Sequence, residues 1–333
     1  MVKLKPVKGQ VIVITGASSG IGLATAQSAA AQGAKVVLAA RSDEALEKAV
    51  QGIMQAGGEA ISVHCDVARR EDVQAVADKA LERFGRIDSW VNNAGVGIWG
   101  RLEEVSEADM RQLFEINFWG MIHGSLVAIP HLEKQGGALI NVGSMASDRA
   151  IPLQGIYSAS KHAVKGFTDA LRMELEERGA PISVTLIKPA SIGTPMPQHV
   201  KNYTSQEARF PPPVYAPEEV ALAILDAAAH PRRDIFVGSA AQTASTISHA
   251  APRMVDKVSE QVLFDAQLGP KPVSRGDNLY NGFAEAKVRG DTQGSMIRPS
   301  LYTRARLHPA VTTAMVAGLV FAAGRLARGN RPI

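Results

Sequence analysis

Cysteine is nearly absent from the 333-residue sequence, in which Cys65 is the single example. One thiol cannot form an internal disulfide, nor a zinc or iron–sulfur site built from several cysteines. Charged residues make up 20% of the chain and hydrophobic residues 46%, a composition typical of a globular protein with a sizeable core. We therefore exclude a disulfide scaffold, predict no bound metal, and expect a reducing compartment, namely the cytoplasm.

Positive charge is unevenly distributed along the chain. Residues 240–333 contain twelve Lys/Arg and six Asp/Glu, whereas residues 1–239 contain 24 Lys/Arg and 26 Asp/Glu. A body without an excess of positive charge argues against a nucleic-acid-binding core, so we predict no nucleic-acid partner. The basic tail directs any anionic partner, such as a phospholipid surface, to the C-terminal third.

Apolar strands and helices alternate through residues 1–239. The predicted strands are Gln10–Thr15, Lys35–Ala40, Ala60–His64, Ile87–Asn92, Ala138–Val142, Ile182–Ile187 and Asp234–Val237. The predicted helices cover about 21–32, 42–56, 71–84, 106–134, 157–178 and 217–229. Such alternation predicts an α/β fold with a doubly wound parallel sheet. The strand pattern is lost from about Ala240, so we predict a catalytic domain over 1–239 and a C-terminal extension over 240–333.

One stretch of the sequence interrupts the alternation of strands and helices, and the ends of the predicted strands are where ligands are expected to bind. Residues 191–215 are rich in proline and have little periodicity, which predicts a long binding loop or lid. Ligands of open parallel sheets bind beyond the carboxyl ends of the strands, so the residues that follow each strand are the candidates for function.

The first strand is followed by a glycine-rich turn that predicts a phosphate site. Gly16, Gly20 and Gly22 lie between this strand and the first helix, with G-x-x-x-G-x-G spacing. Glycines let the backbone approach a pyrophosphate, whose charge faces the helix N-terminus. A tight turn with no ligand is the alternative interpretation, but the position at a strand-to-helix junction favours the phosphate site.

The end of the second strand is expected to select the cofactor. A carboxylate there would bind the ribose 2′-hydroxyl of NAD, but the sequence has Ala40 followed by Arg41. Because a guanidinium suits a 2′-phosphate, we predict a preference for NADP over NAD. The alternative is a solvated arginine at the start of a helix.

Four polar residues in the middle of the chain predict one site for proton transfer. Tyr157 and Lys161 are four residues apart and therefore lie on the same face of a helix. A nearby cation lowers the pKa of a tyrosine toward the neutral range. Ser144 follows a strand, and Asn117 is a polar residue in an otherwise apolar helical stretch.

With these motifs in order, the sequence resembles the short-chain dehydrogenases/reductases. The resemblance covers roughly residues 8–238 and is carried by Thr15–Gly22, Asp66, Asn92–Gly95, Asn117, Ser144, Tyr157 with Lys161, and Pro189–Thr194. It implies a Rossmann-like single domain with a seven-stranded sheet. It also implies hydride transfer between a nicotinamide and a small-molecule carbonyl or alcohol, in a chain that forms homo-oligomers through the helices holding Asn117 and Tyr157.

The resemblance also assigns roles to individual residues. Tyr157 would be the catalytic acid/base, Ser144 would orient the substrate oxygen, Lys161 would lower the pKa of Tyr157 and bind the nicotinamide ribose, and Asn117 would hold a relay water. The predicted cofactor-binding residues are Gly16, Ser18, Ser19, Gly20, Ile21, Gly22, Arg41, Asp66, Val67, Asn93, Ala94, Gly95, Tyr157, Lys161, Pro189, Ile192 and Thr194. One departure is Ala190, where the family usually has glycine, so the pocket on the nicotinamide side is expected to differ slightly.

The substrate is the least specified part of the prediction. Family position suggests a mostly apolar pocket, lined by Trp99, Met145, Ile151, Leu153 and Met196. Ordinary core packing is the alternative for each of these side chains. We therefore predict an NADP-dependent enzyme for a hydrophobic alcohol or ketone. The alternatives are a non-catalytic nucleotide-sensing or scaffold protein and a sugar-nucleotide epimerase or dehydratase on the same fold.

The tail contains one uncharged segment, Leu307–Gly324, flanked by Arg304, Arg306 and three later arginines. A bilayer-spanning helix needs about 20 predominantly apolar residues, so the length is borderline. The flanking charges favour a peripheral helix on an anionic membrane surface over a tail anchor that spans the bilayer. A helix buried against protein is the alternative.

Overall fold

Eleven strands and eleven helices make up the described part of the computed structural model, which covers residues 2–273, 276–291, 295–307 and 312–313. The strands are β1 (Val11–Thr15), β2 (Lys35–Ala40), β3 (Glu59–His64), β4 (Ser89–Asn92), β5 (Ile98–Trp99), β6 (Gly137–Val142), β7 (Ile182–Pro189), β8 (Lys201–Asn202), β9 (Gln206–Ala208), β10 (Asp234–Val237) and β11 (Leu268–Pro272). The helices are α1 (Gly20–Ala31), α2 (Asp43–Gln55), α3 (Arg70–Phe84), α4 (Glu107–Phe114), α5 (Gly120–Glu133), α6 (Gly155–Glu177), α7 (Met196–His199), α8 (Pro217–Ala229), α9 (Ser239–Ala250), α10 (Pro252–Ala266) and α11 (Leu301–Leu307).

The central sheet has seven strands in the order β10-β7-β6-β4-β1-β2-β3. Every pairing in it is parallel. Sequence order reverses between β1 and β4, and ligands of open α/β sheets bind beyond the strand ends at such a point. The predicted doubly wound, Rossmann-like α/β fold is confirmed.

Two helical layers cover the sheet because each central strand is apolar on both faces. In β1, Ile12 and Ile14 pack in the cluster formed with α1, α2 and α8, whereas Val11 and Val13 pack in the cluster formed with α3, α5 and α6. All five residues of β1 are buried. The continuous β-branched run in the sequence is therefore a strand covered on both sides.

One long predicted helix differs in detail from the structure. The stretch predicted as a helix over about 106–134 is α4, a π-helical turn over Glu115–Trp119, and α5. Single π-helical turns inside α-helices are frequent at functional sites. Asn117 lies in this turn.

The extension contains a strand, β11, that the sequence pattern did not predict. Strand β11 pairs antiparallel with β9, with Leu268 opposite Ala208 and Pro272 opposite Gln206. Because β11 contains Gly269, Pro270 and Pro272, it lacks the apolar alternation by which a strand is recognised from sequence. Its partner β9 lies in the proline-rich stretch predicted as a loop.

The C-terminal extension packs on the body through buried contacts. The hydroxyl of Ser245 in α9 donates to Asp148 Oδ2 at 2.9 Å, and the amide of Gly238 donates to Thr303 Oγ1 at 3.1 Å. Leu279 is fully buried in the cluster that includes α3. No helix in the described ranges is long and apolar enough to cross a membrane. Most of the Leu307–Gly324 segment lies outside the described residues, whereas Leu307 itself is buried.

Candidate active site

The glycine-rich turn joins β1 to α1 and packs too tightly for side chains. A Cβ on Gly22 would lie 2.2 Å from the carbonyl oxygen of Gly16 and 2.7 Å from Asn93 Nδ2. Asn93 holds the turn from the next strand end, because its Nδ2 donates to the Thr15 carbonyl at 2.9 Å. The backbone is thus exposed to a cavity of about 190 Å³, lined here by Gly16, Ser18, Ser19, Gly20 and Ile21. Such a cradle fits a pyrophosphate.

Arg41, at the end of β2, lines the same cavity but is engaged by the C-terminal extension. Its Nη2 donates to the carbonyls of Asn278 and Asn281 at 2.5 and 3.3 Å, and its Nη1 donates to that of Leu279 at 3.2 Å. Burial lowers the pKa of Arg41, an effect that the charge of Asp66 partly opposes. Arg41 therefore has a structural partner that the sequence did not indicate.

The ends of β3 and β4 supply further walls of this cavity. Val67, Ala94 and Gly95 line it. Asp66 instead turns to the backbone, where its Oδ1 accepts a hydrogen bond from Ala68 N at 3.1 Å. The neighbouring thiol of Cys65 is buried, and burial raises its pKa to about 12, so it remains protonated at neutral pH.

Asn117 is almost fully buried in the π-helical turn. Its Oδ1 accepts a hydrogen bond from Val96 N at 2.8 Å, and its Nδ2 donates to the Val96 carbonyl at 2.9 Å and to Ser160 Oγ at 3.2 Å. These contacts explain a polar side chain in an apolar helical stretch. They connect the loop after β4 to α6, the helix that holds Tyr157 and Lys161.

Ser144 follows β6 and begins a short 3₁₀ turn. Its Oγ accepts a hydrogen bond from Ala146 N at 3.0 Å, and its own N–H donates to Ser147 Oγ at 3.2 Å. A hydrogen bond also joins the side chains of Ser144 and Tyr157. The strand end therefore holds a hydroxyl beside the phenol.

Tyr157 and Lys161 lie on one face of α6, with Lys161 Nζ 5.7 Å from the centre of the tyrosine ring. Burial raises the pKa of Tyr157 above its usual value, although the hydrogen bond with Ser144 lowers it. Burial also lowers the pKa of Lys161 to about 8, and its Nζ donates to the Val142 carbonyl at 2.9 Å. Desolvation of the phenol is the largest influence on the pKa of Tyr157, and the lowering of this pKa by Lys161 that the resemblance implies stays a prediction.

A second cavity, of about 140 Å³, brings the predicted catalytic residues together. Ser144, Tyr157 and Lys161 line it, together with Pro189, Ile192 and Thr194. The two cavities have five lining residues in common, namely Ile21, Asn93, Gly95, Thr194 and Met196. One cleft therefore runs from Arg41 to Tyr157. Asn117 lies behind its wall, with Oδ1 3.4 Å from where a Cβ on Gly95 would be.

The residues predicted to contact substrate divide into two groups. Met145, Ile151 and Met196 line the second cavity. Trp99 and Leu153 are buried beside it in a cluster with Val200 and Ala208, so they support the wall from behind. Ala190 lines the cavity without a positive φ, which explains why its methyl group is accepted where the family usually has glycine.

Several lining residues were missed at the sequence level. The cavity near Tyr157 is also bounded by Gln154, Phe210, Pro211 and Leu263, and the cavity near Arg41 by His199, Asn278, Gly282 and Phe283. The proline-rich loop predicted over 191–215 was a signal for Phe210 and Pro211. Residues from the extension had no comparable signal, because neither periodicity nor a motif distinguishes them.

Comparison with known proteins gives consistent matches. The family model described as short chain dehydrogenase matches residues 10–204. An uncharacterized oxidoreductase, YxnA, of Bacillus subtilis is 45% identical over 323 residues, which is 96% of this chain and 91% of that protein. The 11-beta-hydroxysteroid dehydrogenase A of Sesamum indicum is 38% identical over 194 residues, 58% of this chain and 55% of that protein.

Solved structures agree with the sequence matches. A short chain dehydrogenase/reductase from Burkholderia phymatum in complex with NAD is 32% identical with a TM-score of 0.68, covering 76% of this chain and 97% of that one. An alcohol dehydrogenase from the archaeon Thermococcus sibiricus, complexed with 5-hydroxy-NADP, is 30% identical with a TM-score of 0.61, covering 69% and 96%. The family model matches more than half of the chain, and the chain belongs to the short-chain dehydrogenase/reductase family of oxidoreductases.

Proposed function

We propose that this oxidoreductase uses NADP to transfer a hydride between the nicotinamide and a carbonyl or alcohol carbon of a hydrophobic small molecule. The observation that carries the proposal is the convergence of Ser144, Tyr157 and Lys161 on one cavity that continues into the glycine-rich turn. A proton-handling group and a phosphate cradle at the two ends of one cleft are what this reaction needs.

The cleft suits a dinucleotide, since a Cβ on Gly22 would overlap the backbone of the turn, and Gly16 and Gly20 of the same turn line the cavity. When bound, a nicotinamide cofactor supplies or accepts the hydride. Tyr157 would donate a proton to the substrate oxygen during reduction and accept it during oxidation. Ser144 would hydrogen-bond that oxygen and hold it beside the phenol. Lys161 would bind the ribose next to the reacting carbon.

The substrate side of the cleft supports a hydrophobic ligand. Its side chains include Met145, Ile151, Met196, Phe210 and Leu263, and Lys161 is its one charged lining residue within the described part of the chain. Pockets with an apolar lining and a few polar groups bind apolar ligands in one orientation. The names of two relatives, an alcohol dehydrogenase and a hydroxysteroid dehydrogenase, are compatible with such substrates.

Arg41 supports NADP as the preferred cofactor. Although its Nη atoms bind carbonyls of the extension, its Nε makes no hydrogen bond to any described residue, and Arg41 lines the cavity. Ala40 provides no carboxylate at the end of β2 to repel a 2′-phosphate. The two relatives solved with cofactors contain NAD in one case and 5-hydroxy-NADP in the other, so a direct measurement on this chain is required.

The proposal is tested with Tyr157→Phe, which keeps the aromatic ring and removes the transferable proton. We expect turnover of aliphatic, aromatic or steroid-like ketones with NADPH to fall by at least about a hundredfold, while the Kd for NADPH stays within about twofold. Tyr302→Phe is the matched control, because Tyr302 lies on α11 and donates to Gln242. A Tyr157→Phe variant that retains more than a few per cent of turnover would exclude this mechanism. Cofactor binding by the natural chain without turnover on any carbonyl would favour the scaffold alternative.

We further propose that the chain forms a homo-oligomer. Trp119 and Leu126, in or next to α5, and Met173 on α6 are large apolar side chains exposed by 46%, 40% and 61%. If these side chains form one contiguous apolar patch, that patch marks a candidate subunit interface. Light scattering on the purified chain tests the proposal, and a monomeric mass would refute it.

Membrane association of the tail stays a prediction. It is supported by the uncharged run Leu307–Gly324 between arginines. Deleting residues 314–333 is expected to abolish binding to anionic vesicles at low salt and to preserve turnover. If the full chain does not bind such vesicles, the prediction is wrong.

A further inference from the structure

A segment of the C-terminal extension, residues 278–290, crosses the mouth of the cleft and is called the strap below. Near one end, Gly20 N donates to the Lys287 carbonyl at 2.9 Å, which places the strap against the glycine-rich turn. At the other wall, Gly290 N donates to the Gly193 carbonyl at 3.2 Å, in the loop that follows β7. The strap therefore joins the two walls of the cleft from outside.

The other end of the strap is fixed next to the end of β2. Three hydrogen bonds from the Arg41 guanidinium reach the carbonyls of Asn278, Leu279 and Asn281. Asn278 N donates to the His199 carbonyl at 2.7 Å. Leu279 is fully buried in the core beneath. Because polar contacts and a buried side chain act together, this part of the strap has a defined position relative to the cleft.

Side chains of the strap line the cavity at the Arg41 end. Asn278, Gly282 and Phe283 belong to its lining, and the Phe283 ring stacks on His199 with ring centres 3.9 Å apart. Asn278 Oδ1 is buried and has no hydrogen-bond partner in the described part of the chain. An unpaired buried acceptor costs free energy. Because Asn278 lines the cavity, rotation of its carboxamide toward the cavity would relieve this cost through a hydrogen bond from a ligand hydroxyl.

We infer that the strap is a further cofactor-binding element, in which Asn278 binds a hydroxyl of the adenosine ribose and Phe283 covers the adenosine diphosphate half. The end of β2 is where this fold holds that ribose, and Asn278 lies against Arg41 there. The inference rests on the proposed use of a nicotinamide dinucleotide. The strap encloses the part that NAD and NADP have in common, so its loss weakens binding of both.

The test uses the full chain with one substitution that lifts the strap and one that removes its unpaired acceptor. In Gly290→Ala the new Cβ would lie 2.6 Å from the Thr194 carbonyl oxygen, so the strap must move away from the wall. Asn278→Ala removes the carboxamide and leaves the backbone unchanged. Gly52→Ala, on α2, is the matched control because its Cβ would meet nothing within 4 Å.

The measurements are the Kd of NADH and NADPH by calorimetry and their dissociation rates by stopped-flow fluorescence. We expect both strap variants to raise the Kd and the dissociation rate of both cofactors by about tenfold, with Gly52→Ala unchanged. Circular dichroism confirms that each variant is folded; if Gly290→Ala is not, Asn278→Ala decides. Unchanged or tighter binding in the folded variants overturns the inference and shows instead that the strap is neutral or blocks the site. A natural chain that binds neither cofactor overturns the proposed function and this inference together.

Discussion

The carboxamide of Asn117 pairs with both main-chain polar groups of Val96, through hydrogen bonds of 2.8 and 2.9 Å. Asn117 in the π-helical turn and Val96 in the loop after β4 are thereby joined by two hydrogen bonds, as paired residues of neighbouring strands are. The contact depends on the π-helical turn, which directs one side chain of an apolar helix toward the loop after β4.

Replacing this carboxamide should destabilise the protein. Asn117→Ala leaves the amide and carbonyl of Val96 unpaired in a buried setting, so the free energy of unfolding is expected to fall by about 1–3 kcal/mol. Urea unfolding followed by fluorescence measures the difference. Gln112→Ala is the control, because its amide makes only a long contact of 3.5 Å with the Leu279 carbonyl. Equal stability of the Asn117→Ala and natural chains would contradict the role assigned to the pair.

Lys161 makes stability depend on pH. Its pKa is lowered from 10.5 to about 8 by burial, so between these values the folded chain has lost a proton that the unfolded chain keeps. The free energy of unfolding should therefore rise by about 3 kcal/mol as the pH increases from 8 to 10.5. Lys161→Met should lack this rise, and the comparison of the two unfolding curves isolates the lysine. Parallel pH profiles would mean that Lys161 is not desolvated.

Asp148 connects two lysines of the body, one of them on β7, to the C-terminal extension. It is buried and contacts Lys165 at 2.6 Å, Lys188 at 3.0 Å and the Ser245 hydroxyl at 2.9 Å. Asp148→Asn leaves the buried ammonium of Lys188 without a carboxylate, and we expect a loss of about 3–5 kcal/mol in thermal or urea unfolding. Glu107→Gln, at an exposed pair with Arg111, is the control and should cost less than about 1 kcal/mol.

The same carboxylate predicts loss of stability in acid. Burial alone would raise the pKa of Asp148, but hydrogen bonds from Lys165 and Lys188 outweigh burial and hold the pKa below 3.8. Its contribution is complete above pH 3.8 and decreases as the pH falls through the lowered pKa of the folded state. In Asp148→Asn this acid-dependent component should be missing.

Arg41 provides the test of cofactor preference. A guanidinium that binds a 2′-phosphate contributes about 1.5–3 kcal/mol, which is absent with NADH. Arg41→Ala should therefore raise the Kd for NADPH at least about tenfold more than that for NADH. Arg41→Ala also removes the contacts that hold the strap, and this loss weakens the binding of both cofactors alike. The ratio of the two Kd values is therefore the readout. Equal losses, or a natural preference for NADH, would refute the NADP assignment.

The sequence predicted the features that local chemistry determines. A short, β-branched apolar run such as Lys35–Ala40 indicates a strand covered on both faces, and the glycines after β1 indicate a tight turn between strand and helix. Ser144 was found because it follows a strand, Asn117 because it is polar in an apolar helical stretch, and Tyr157 with Lys161 because they are four residues apart on one helix. Ser144, Tyr157 and Lys161 come together in one cavity, with Asn117 behind its wall, in the parallel sheet that the alternating pattern predicted.

The strap and the other cleft-lining residues of the C-terminal extension could not be predicted from local sequence patterns. The bond from Gly20 to Lys287 uses main-chain groups on both sides, and main-chain groups are the same at every position. The position of Arg41 after β2 predicted a ligand of phosphate but gave no sign of its second set of partners, the carbonyls of Asn278 and Asn281. Contacts between remote backbone segments leave no residue pattern from which they can be deduced.

Leu263 and Phe283 come from one extension but reach opposite ends of the cleft, the first near Tyr157 and the second near Arg41. A hybrid protein that joins residues 2–238 to the tail of another oxidoreductase would replace the cleft residues at both ends, near Tyr157 and near Arg41, in a single recombination. In directed evolution the body and the tail should therefore be inherited together, and a library that diversifies only the body leaves these two walls of the cleft unchanged.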